Sequence, residues 1–241
     1  MPVAMMPPAE VDLMNPGKAA EIRYAPPNPR MDAVHNAGMS AGAQQGYVFS
    51  MSKYRKQMQK RSDLLSKIFD FTPLILNGRM MPAVIAEGRR TFALHGSQSG
   101  AAAMVEYRIV QPARIITAIP SWRDYLLPEI PDPAPVNPVL YPKTNDELSV
   151  WRAGVKQGWA AGEAQAEQVE IETIHRLDQT YVGMVRFMIL KAQGLVQGPV
   201  LATGTPQIRV GGETLDIGAQ TFSITVPAKF TDPDQWKAVA Q

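Results

Sequence analysis

Glycine recurs at every fourth residue in two widely separated stretches of the chain, at Gly38, Gly42 and Gly46 and again at Gly154, Gly158 and Gly162. Residues four apart lie on one face of an α-helix. A glycine inside a helix costs about 1 kcal/mol relative to alanine, so a stripe of three indicates the close approach of another backbone. We therefore predict two helices that cross through these stripes. The alternative is a small-residue face against another neighbour, because periodicity shows a face but not its partner.

The second stripe lies in a long helical stretch over residues 144–196. Thr144 and Glu147 have the spacing of a capping box at its start. Apolar residues recur behind them at helical spacing, from Trp151, Val155 and Trp159 to Val185 and Met188. A continuous helix would be on the order of 75 Å long, so we predict a bend or break at Gly183 or Gly194. The part beyond Gly183 is expected to depart from helix first.

The remaining chain predicts an α+β fold, with two long helices packed through the glycine stripes and small antiparallel β-elements between and after them. Proline-rich residues 1–30 predict an extended arm, and residues 31–241 a single α+β domain with a proline-rich strap at 128–142. Strand-like runs fill 79–118, Gly211-Gly212 predicts a hairpin, and 221–226 predict a further strand. A short helical turn is predicted at 121–126, and residues 227–241 are predicted to form a tail.

Composition excludes several classes of function. The formal net charge of the 241 residues is +2, which is too small to indicate nucleic acid or an anionic membrane as the partner. The absence of cysteine excludes disulfides, thiol catalysis and Cys-ligated metals. No apolar run reaches the length of a membrane-spanning helix, and the first residues lack the pattern of a signal peptide. An exported protein with this sequence is therefore expected to be a mature form or an incomplete one.

Residues that carry catalysis are scarce. The three histidines, His35, His95 and His175, lie far apart in sequence. Glu172, His175 and Asp178 share a helical face, but this spacing favours a surface charge network over a metal site. Nucleotide-binding loops and nucleophile motifs are absent. The sequence therefore predicts no catalytic residue, no cofactor and no metal ligand, and it favours a binding or scaffold protein over an enzyme.

Five segments carry a resemblance to a known family. They are 37–46, Ile68-Phe69-Asp70-Phe71 with Leu74-Ile75-Leu76, 81–89, Pro120-Ser121-Trp122-Arg123-Asp124-Tyr125-Leu126, and Trp151 through Gly158-Trp159-Ala160-Ala161-Gly162 to Ala166. In order and spacing they resemble the DotC family of type IVB secretion systems, called TraI in IncI-type conjugative plasmids. The resemblance covers roughly residues 32–240.

The resemblance implies a structural subunit of an outer-membrane core complex that supports transport of protein effectors or protein-bound DNA. It implies a periplasmic location, a lipid anchor in the outer membrane, DotD-like and DotH-like partners, and further copies of the chain in a ring. With the small net charge, no direct binding of nucleic acid is expected. The lipobox cysteine of the family is not in this sequence. Anchoring is therefore the least supported of these implications.

Exposed aromatic residues and arginine are candidate anchors of a partner interface, because interface energy concentrates in such residues. The candidates are Trp122, Arg123, Tyr125 and Trp236. Filling of the core is the alternative for Trp122 and Tyr125. A competing hypothesis for the whole chain is a soluble α+β enzyme or small-ligand-binding module with an unrecognised pocket.

Overall fold

The structure is a computed structural model that describes residues 28–94, 100–211, 214–232 and 234. Its helices are α1 (Pro29–Lys60), α2 (Ser62–Ile68), α3 (Arg123–Leu126) and α4 (Asn145–Ala192), with 3-10 turns at Thr72–Leu74 and Pro138–Leu140. Its strands are β1 (Met80–Met81), β2 (Val84–Leu94), β3 (Gly100–Gln111), β4 (Arg114–Ile115), β5 (Val196–Gln197), β6 (Val200–Thr203), β7 (Gln207–Gly211), β8 (Thr214–Ala219), β9 (Phe222–Val226) and β10 (Lys229–Phe230).

The chain divides into two compact units, and each long helix contributes to both of them. Unit 1 contains residues 1–49 and 132–165, and unit 2 contains residues 50–131 and 166–241. The prediction of a single domain over residues 31–241 stays a prediction. Most of the proline-rich arm at residues 1–30 lies outside the described residues, and α1 begins at Pro29.

The helices of unit 1 pack through the two glycine stripes, which confirms the predicted fold. A methyl group added at Gly38 would lie 2.6 Å from the carbonyl oxygen of Trp151, and one at Gly46 would lie 2.5 Å from that of Trp159. Added methyls at Gly42, Gly154, Gly158 and Gly162 would likewise meet backbone atoms of the facing helix inside van der Waals contact. Any side chain at these positions would therefore force the two backbones apart.

The start of α4 follows the predicted capping box in one half and differs in the other. The hydroxyl of Thr144 accepts a hydrogen bond from the backbone N–H of Glu147 at 3.2 Å, as predicted. The carboxylate of Glu147 accepts from the N–H of Lys143 at 2.7 Å, one residue before the N–H expected of a capping box. The carboxylate therefore ties Lys143, which follows the strap, to the first turn of the helix.

Unit 2 holds pairs of antiparallel strands. Within the described residues, these pairs are β1 with β4, β2 with β3, β5 with β10, β6 with β9, and β7 with β8. The longest is the β2–β3 hairpin, whose register runs from Val84 opposite Gln111 to Leu94 opposite Gly100. Residues 95–99, where the sequence predicts a hairpin loop, and residues 212–213 lie outside the described residues. Pairing of β7 with β8 agrees with the predicted hairpin, whereas β10 lies in the segment predicted as a tail.

A core cluster of unit 2 joins β2 to the end of α4. Ala83, Ile85, Phe187, Leu190 and Val196 are buried together. Ile85 of β2 and Ala83, just before that strand, pack with Phe187 and Leu190 on the apolar face of α4, and Val196 of β5 completes the cluster. Burial of such side chains stabilises each by roughly 1.5–3 kcal/mol.

The end of α4 explains why the predicted break occurs at only one of the two candidate glycines. At Gly183 the prediction of a break is wrong, because the helix continues to Ala192. A methyl group added at Gly183 would meet Val84 and Ile85 of β2, so this glycine allows the strand to pack closely against the helix. At Gly194 the helix has ended. Gly194 has a φ of 75°, its N–H donates to Lys191, and the N–H of Leu195 donates to Leu190, which is a Schellman motif.

Candidate functional site

A buried carboxylate anchors the start of α4 in unit 1. Glu147 pairs with Arg30 of α1, whose Nε lies 3.0 Å and Nη2 3.3 Å from its two oxygens. The same guanidinium donates to the carbonyl oxygens of Val139 at 2.6 Å and Tyr141 at 2.9 Å. The hydrogen bond from Arg30 and that from Lys143 hold the pKa of Glu147 below its usual range. This cluster fixes the end of the strap and leaves the carboxylate no free proton-transfer role.

The segment predicted as a partner interface forms α3 in unit 2. Just before it, the N–H of Ser121 donates to the Asp124 carboxylate at 2.7 Å, and the Ser121 hydroxyl accepts from the N–H of Arg123 at 3.3 Å. The Trp122 ring is only 1% exposed, and its Nε1 donates to the hydroxyl of Ser66 at 2.9 Å. Arg123 is exposed and its guanidinium lies 4.4 Å from the centre of the Trp122 ring. Of the two candidates Trp122 and Arg123, only Arg123 has an exposed side chain.

Tyr125 is also part of the core. Its ring stacks on Phe71 at 5.7 Å, and burial raises the pKa of its hydroxyl, although a hydrogen bond with Thr180 opposes this shift. Arg176 of α4 donates to the Tyr125 carbonyl oxygen at 3.2 Å. The rings of Trp122 and Tyr125 therefore fill the core, as in the alternative considered for them, and are not exposed anchors. Trp236 lies outside the described residues, and the partner interface stays a prediction.

Two cavities lie on either side of the segment 115–119 in unit 2. The larger, of about 690 Å³, is bordered by Arg114, Tyr125, Arg176 and Thr180, and the smaller, of about 420 Å³, by Arg79 and Phe222. Ile115 and Ile119 are each more than a third exposed on this segment. The two cavities therefore share one apolar wall and have arginine at both sides.

The arginines of these cavities have no acidic partner among the described residues. Arg114 donates to the sulfur of Met81, Arg176 to a carbonyl oxygen, and Arg79 lies over the Phe222 ring at 4.5 Å. In contrast, Arg186 in the same unit pairs with Glu87 at 3.2 Å, and Glu87 also pairs with Arg89. The hydrogen bond from Arg89 lowers the pKa of Glu87. The cavity arginines thus form no salt bridge within the described residues.

A second exposed feature of unit 2 is an apolar stripe on α4. Its members are Ile171, Ile174, Val182 and Ile189, which are 43%, 48%, 38% and 52% exposed. They follow steps of three and four residues, with exposed Asp178 and half-buried Val185 at the intervening positions. Leu177, Met184, Phe187 and Leu190 of the same helix segment are buried. This part of α4 is therefore apolar on its buried face and again on an exposed one.

The described residues contain no group of three His, Asp or Glu placed to hold a metal ion, and Glu172, His175 and Asp178 lie exposed on α4. Within the same residues, no helix combines the length and apolar composition needed to cross a membrane. The cavity arginines could not be predicted from the sequence, since they are far apart in the chain. The α4 stripe was not predicted either, although its three- and four-residue spacing is a signal in the sequence.

One comparison with known proteins identifies the family. A search of curated proteins gives no match to this chain. A family model described as type IV secretory system, conjugal DNA-protein transfer matches residues 28–238. The match spans both units and includes all five segments that carried the resemblance, so it confirms that resemblance at the level of the family. The chain therefore belongs to the TraI family of the type IV secretory system for conjugal DNA-protein transfer.

Proposed function

We propose that this protein is a structural subunit of the outer-membrane core complex of a type IVB secretion or conjugation system. It supports the transport of protein effectors or protein-bound DNA without catalysing a reaction. The observation that carries the proposal is the match of a secretion-system family over residues 28–238. The family resemblance adds the periplasmic location and the DotD-like and DotH-like partners. It also adds outer-membrane association, for which this sequence supplies no lipobox cysteine.

The exposed stripe on α4 supports a role in assembly. Apolar side chains that stay exposed along one face of a helix are candidates for an interaction site in a soluble protein. Ile171, Ile174 and Ile189 are each more than two-fifths exposed in the single chain. If this surface contacts a different surface of the next subunit, repeated copies form a ring when the rotation that relates neighbouring subunits adds up to a full turn. The stripe is thus a candidate surface through which a scaffold subunit contacts its neighbours in a larger complex.

The test is to co-express the chain with the DotD-like and DotH-like proteins of the same secretion system and to image the purified particles. We expect all three proteins in one ring-shaped particle, and loss of transfer when the gene is deleted, restored by the gene supplied in trans. A monodisperse monomer that joins neither partner would contradict the proposal. A ligand retained in one of the cavities of such a monomer would favour the small-ligand-binding module.

A further inference from the structure

The segment 115–119, with its two cavities, has properties that the secretion-system role does not use. It follows β4 and makes a bend at Thr117 and Ala118 before Pro120. Its side chains Ile115 and Ile119 border both cavities and are exposed. We call this region the 115–119 surface.

The backbone of the 115–119 surface has open hydrogen-bonding positions. The N–H of Ile116 donates to the carbonyl oxygen of Arg79 at 2.9 Å, and β4 pairs only with β1 among the described strands. Bonded and non-bonded residue pairs alternate along an antiparallel ladder. Since Ile116 bonds to Arg79, the next pair, Ile115 opposite Met80, is a non-bonded one, and the peptide groups of Ile115 point away from β1. Thr117, Ala118 and Ile119 form no hydrogen bond with any described residue. A chain laid along this segment would meet donors and acceptors that have no partner among the described residues.

The charge of the surface is complementary to acidic groups. Arg114 and Arg176 border the larger cavity, Arg79 the smaller one, and none of them has a carboxylate partner within the described residues. Asp124 is the acidic residue of the larger cavity, and its carboxylate already accepts from Ser121. A guanidinium has five N–H donors, and each of these arginines has most of them free. Carboxylates bound here would form charge-assisted, bidentate hydrogen bonds.

We propose that the 115–119 surface binds an extended acidic peptide segment of a protein partner. Carboxylates of the peptide pair with Arg114 and Arg176, its apolar side chains contact Ile115 and Ile119, and its main chain bonds to the open peptide groups of 117–119. This combination of main-chain bonding and side-chain pockets is the way in which proteins bind extended peptides. The inference goes beyond the proposed scaffold role and does not depend on it.

A nucleic acid is the other polyanion that arginines recognise, and the observations favour a peptide. Phosphate recognition needs clustered cations and, for single strands, aromatic stacking platforms. Here the two aromatic rings of the cavities are already covered, since Tyr125 stacks on Phe71 and Arg79 lies over Phe222. The wall at 115–119 is mostly aliphatic, and its peptide groups at 117–119, which have no partner among the described residues, can both donate and accept. An aliphatic wall with open backbone groups suits a second polypeptide.

The test uses a display library of random heptapeptides, selected against the purified full chain. The same selection is run against the double variant R114Q/R176Q and against the matched control R61Q/R108Q. The control also removes two positive charges from exposed positions of unit 2, away from both cavities. Thermal unfolding of all three proteins verifies that they are folded.

We expect peptides rich in Asp and Glu with interspersed apolar residues to be enriched on the wild type and the control. The best synthetic peptide should bind R114Q/R176Q at least about ten-fold more weakly, since the variant loses two charge-assisted pairs with the peptide carboxylates. N-methylation of its backbone amides should weaken binding further. The proposal is overturned if the wild type enriches no carboxylate-containing peptide, if R114Q/R176Q binds as well as the control, or if an oligonucleotide competes the peptide off at equal concentration.

Discussion

At the level of single residues, the burial of Trp122 determines what a substitution there reports. The ring is enclosed and hydrogen-bonded to Ser66. We predict that Trp122→Ala lowers the free energy of unfolding by about 3–5 kcal/mol, because it leaves a large cavity. Arg123→Gln is the surface control next to it and should change stability by less than about 1 kcal/mol. Chemical denaturation measures both, and a loss below about 1 kcal/mol for Trp122→Ala would contradict the assignment of this ring to the core.

Glu147 gives a prediction about pH. Its pKa is lower in the folded protein than in the unfolded chain, because Arg30 and the N–H of Lys143 bind the charged carboxylate. A lowered folded-state pKa stabilises the protein above the unfolded value of about 4.3, and this stabilisation is lost as pH falls through the folded value. We therefore predict that Glu147→Gln is less stable than the wild type at neutral pH and that the difference shrinks below about pH 4.

The control for Glu147→Gln is Glu163→Gln. Glu163 is exposed on the same helix and has no ion pair within the described residues. Urea denaturation of the three proteins across the acid range supplies the comparison. An equal stability deficit at every pH for Glu147→Gln would show that the loss does not come from the ionised carboxylate.

At the level of elements, the crossing of α1 and α4 reverses the usual effect of a glycine-to-alanine change. In an exposed helix this change stabilises by about 1 kcal/mol. At Gly158 an added methyl would lie 2.9 Å from the backbone nitrogen of Ala43 and closer to the carbonyl oxygen of Met39. We predict that Gly158→Ala lowers the free energy of unfolding by about 1–3 kcal/mol, because neither backbone atom can move alone.

Ala161→Gly, on the exposed face of α4, is the matched change in the opposite direction. Helix propensity alone predicts that Gly158→Ala raises the free energy of unfolding and that Ala161→Gly lowers it, whereas close packing at Gly158 predicts that both variants are less stable. Thermal or denaturant unfolding of each variant distinguishes these two expectations. A more stable Gly158→Ala would exclude the close approach of the two helices at this position.

The same elements show which parts of the fold could be predicted from sequence. The glycine stripes predicted both helices and their packing, because only a facing backbone offsets the cost of glycine at helical spacing. The strand pairs that close over long separations, β5 with β10 and β6 with β9, were not predicted as pairs. Alternation identifies a strand but not its partner. The break predicted at Gly183 is wrong because the packing of β2 against that glycine was not visible in the sequence.

At the level of the whole molecule, sequence identified the family more readily than the site. The motif around Trp122 and the segment from Trp151 to Ala166 predicted a secretion-system protein, and the family match over residues 28–238 agrees. The same motif was a poor guide to exposed anchors, since aromatic residues serve the core as often as an interface. Arg79, Arg114 and Arg176 meet at the 115–119 surface only through tertiary packing. Their positions in the chain have no common spacing that could reveal this.

The α4 stripe leads to a prediction about the assembled protein. Ile174 and Ile189 contribute exposed apolar surface in the isolated chain, so replacing them changes stability by roughly 0.5 kcal/mol or less. If another subunit covers the stripe, two carboxylates placed there become buried without a partner, which costs several kcal/mol. We predict that Ile174→Asp with Ile189→Asp leaves the chain folded but abolishes its co-purification with core-complex partners and reduces transfer at least about ten-fold.

The control is Gln57→Asp with Gln59→Asp, which adds two negative charges at exposed positions of α1 and should leave both co-purification and transfer unchanged. Wild-type transfer by the isoleucine variant would mean that this face of α4 remains in solvent throughout the working complex.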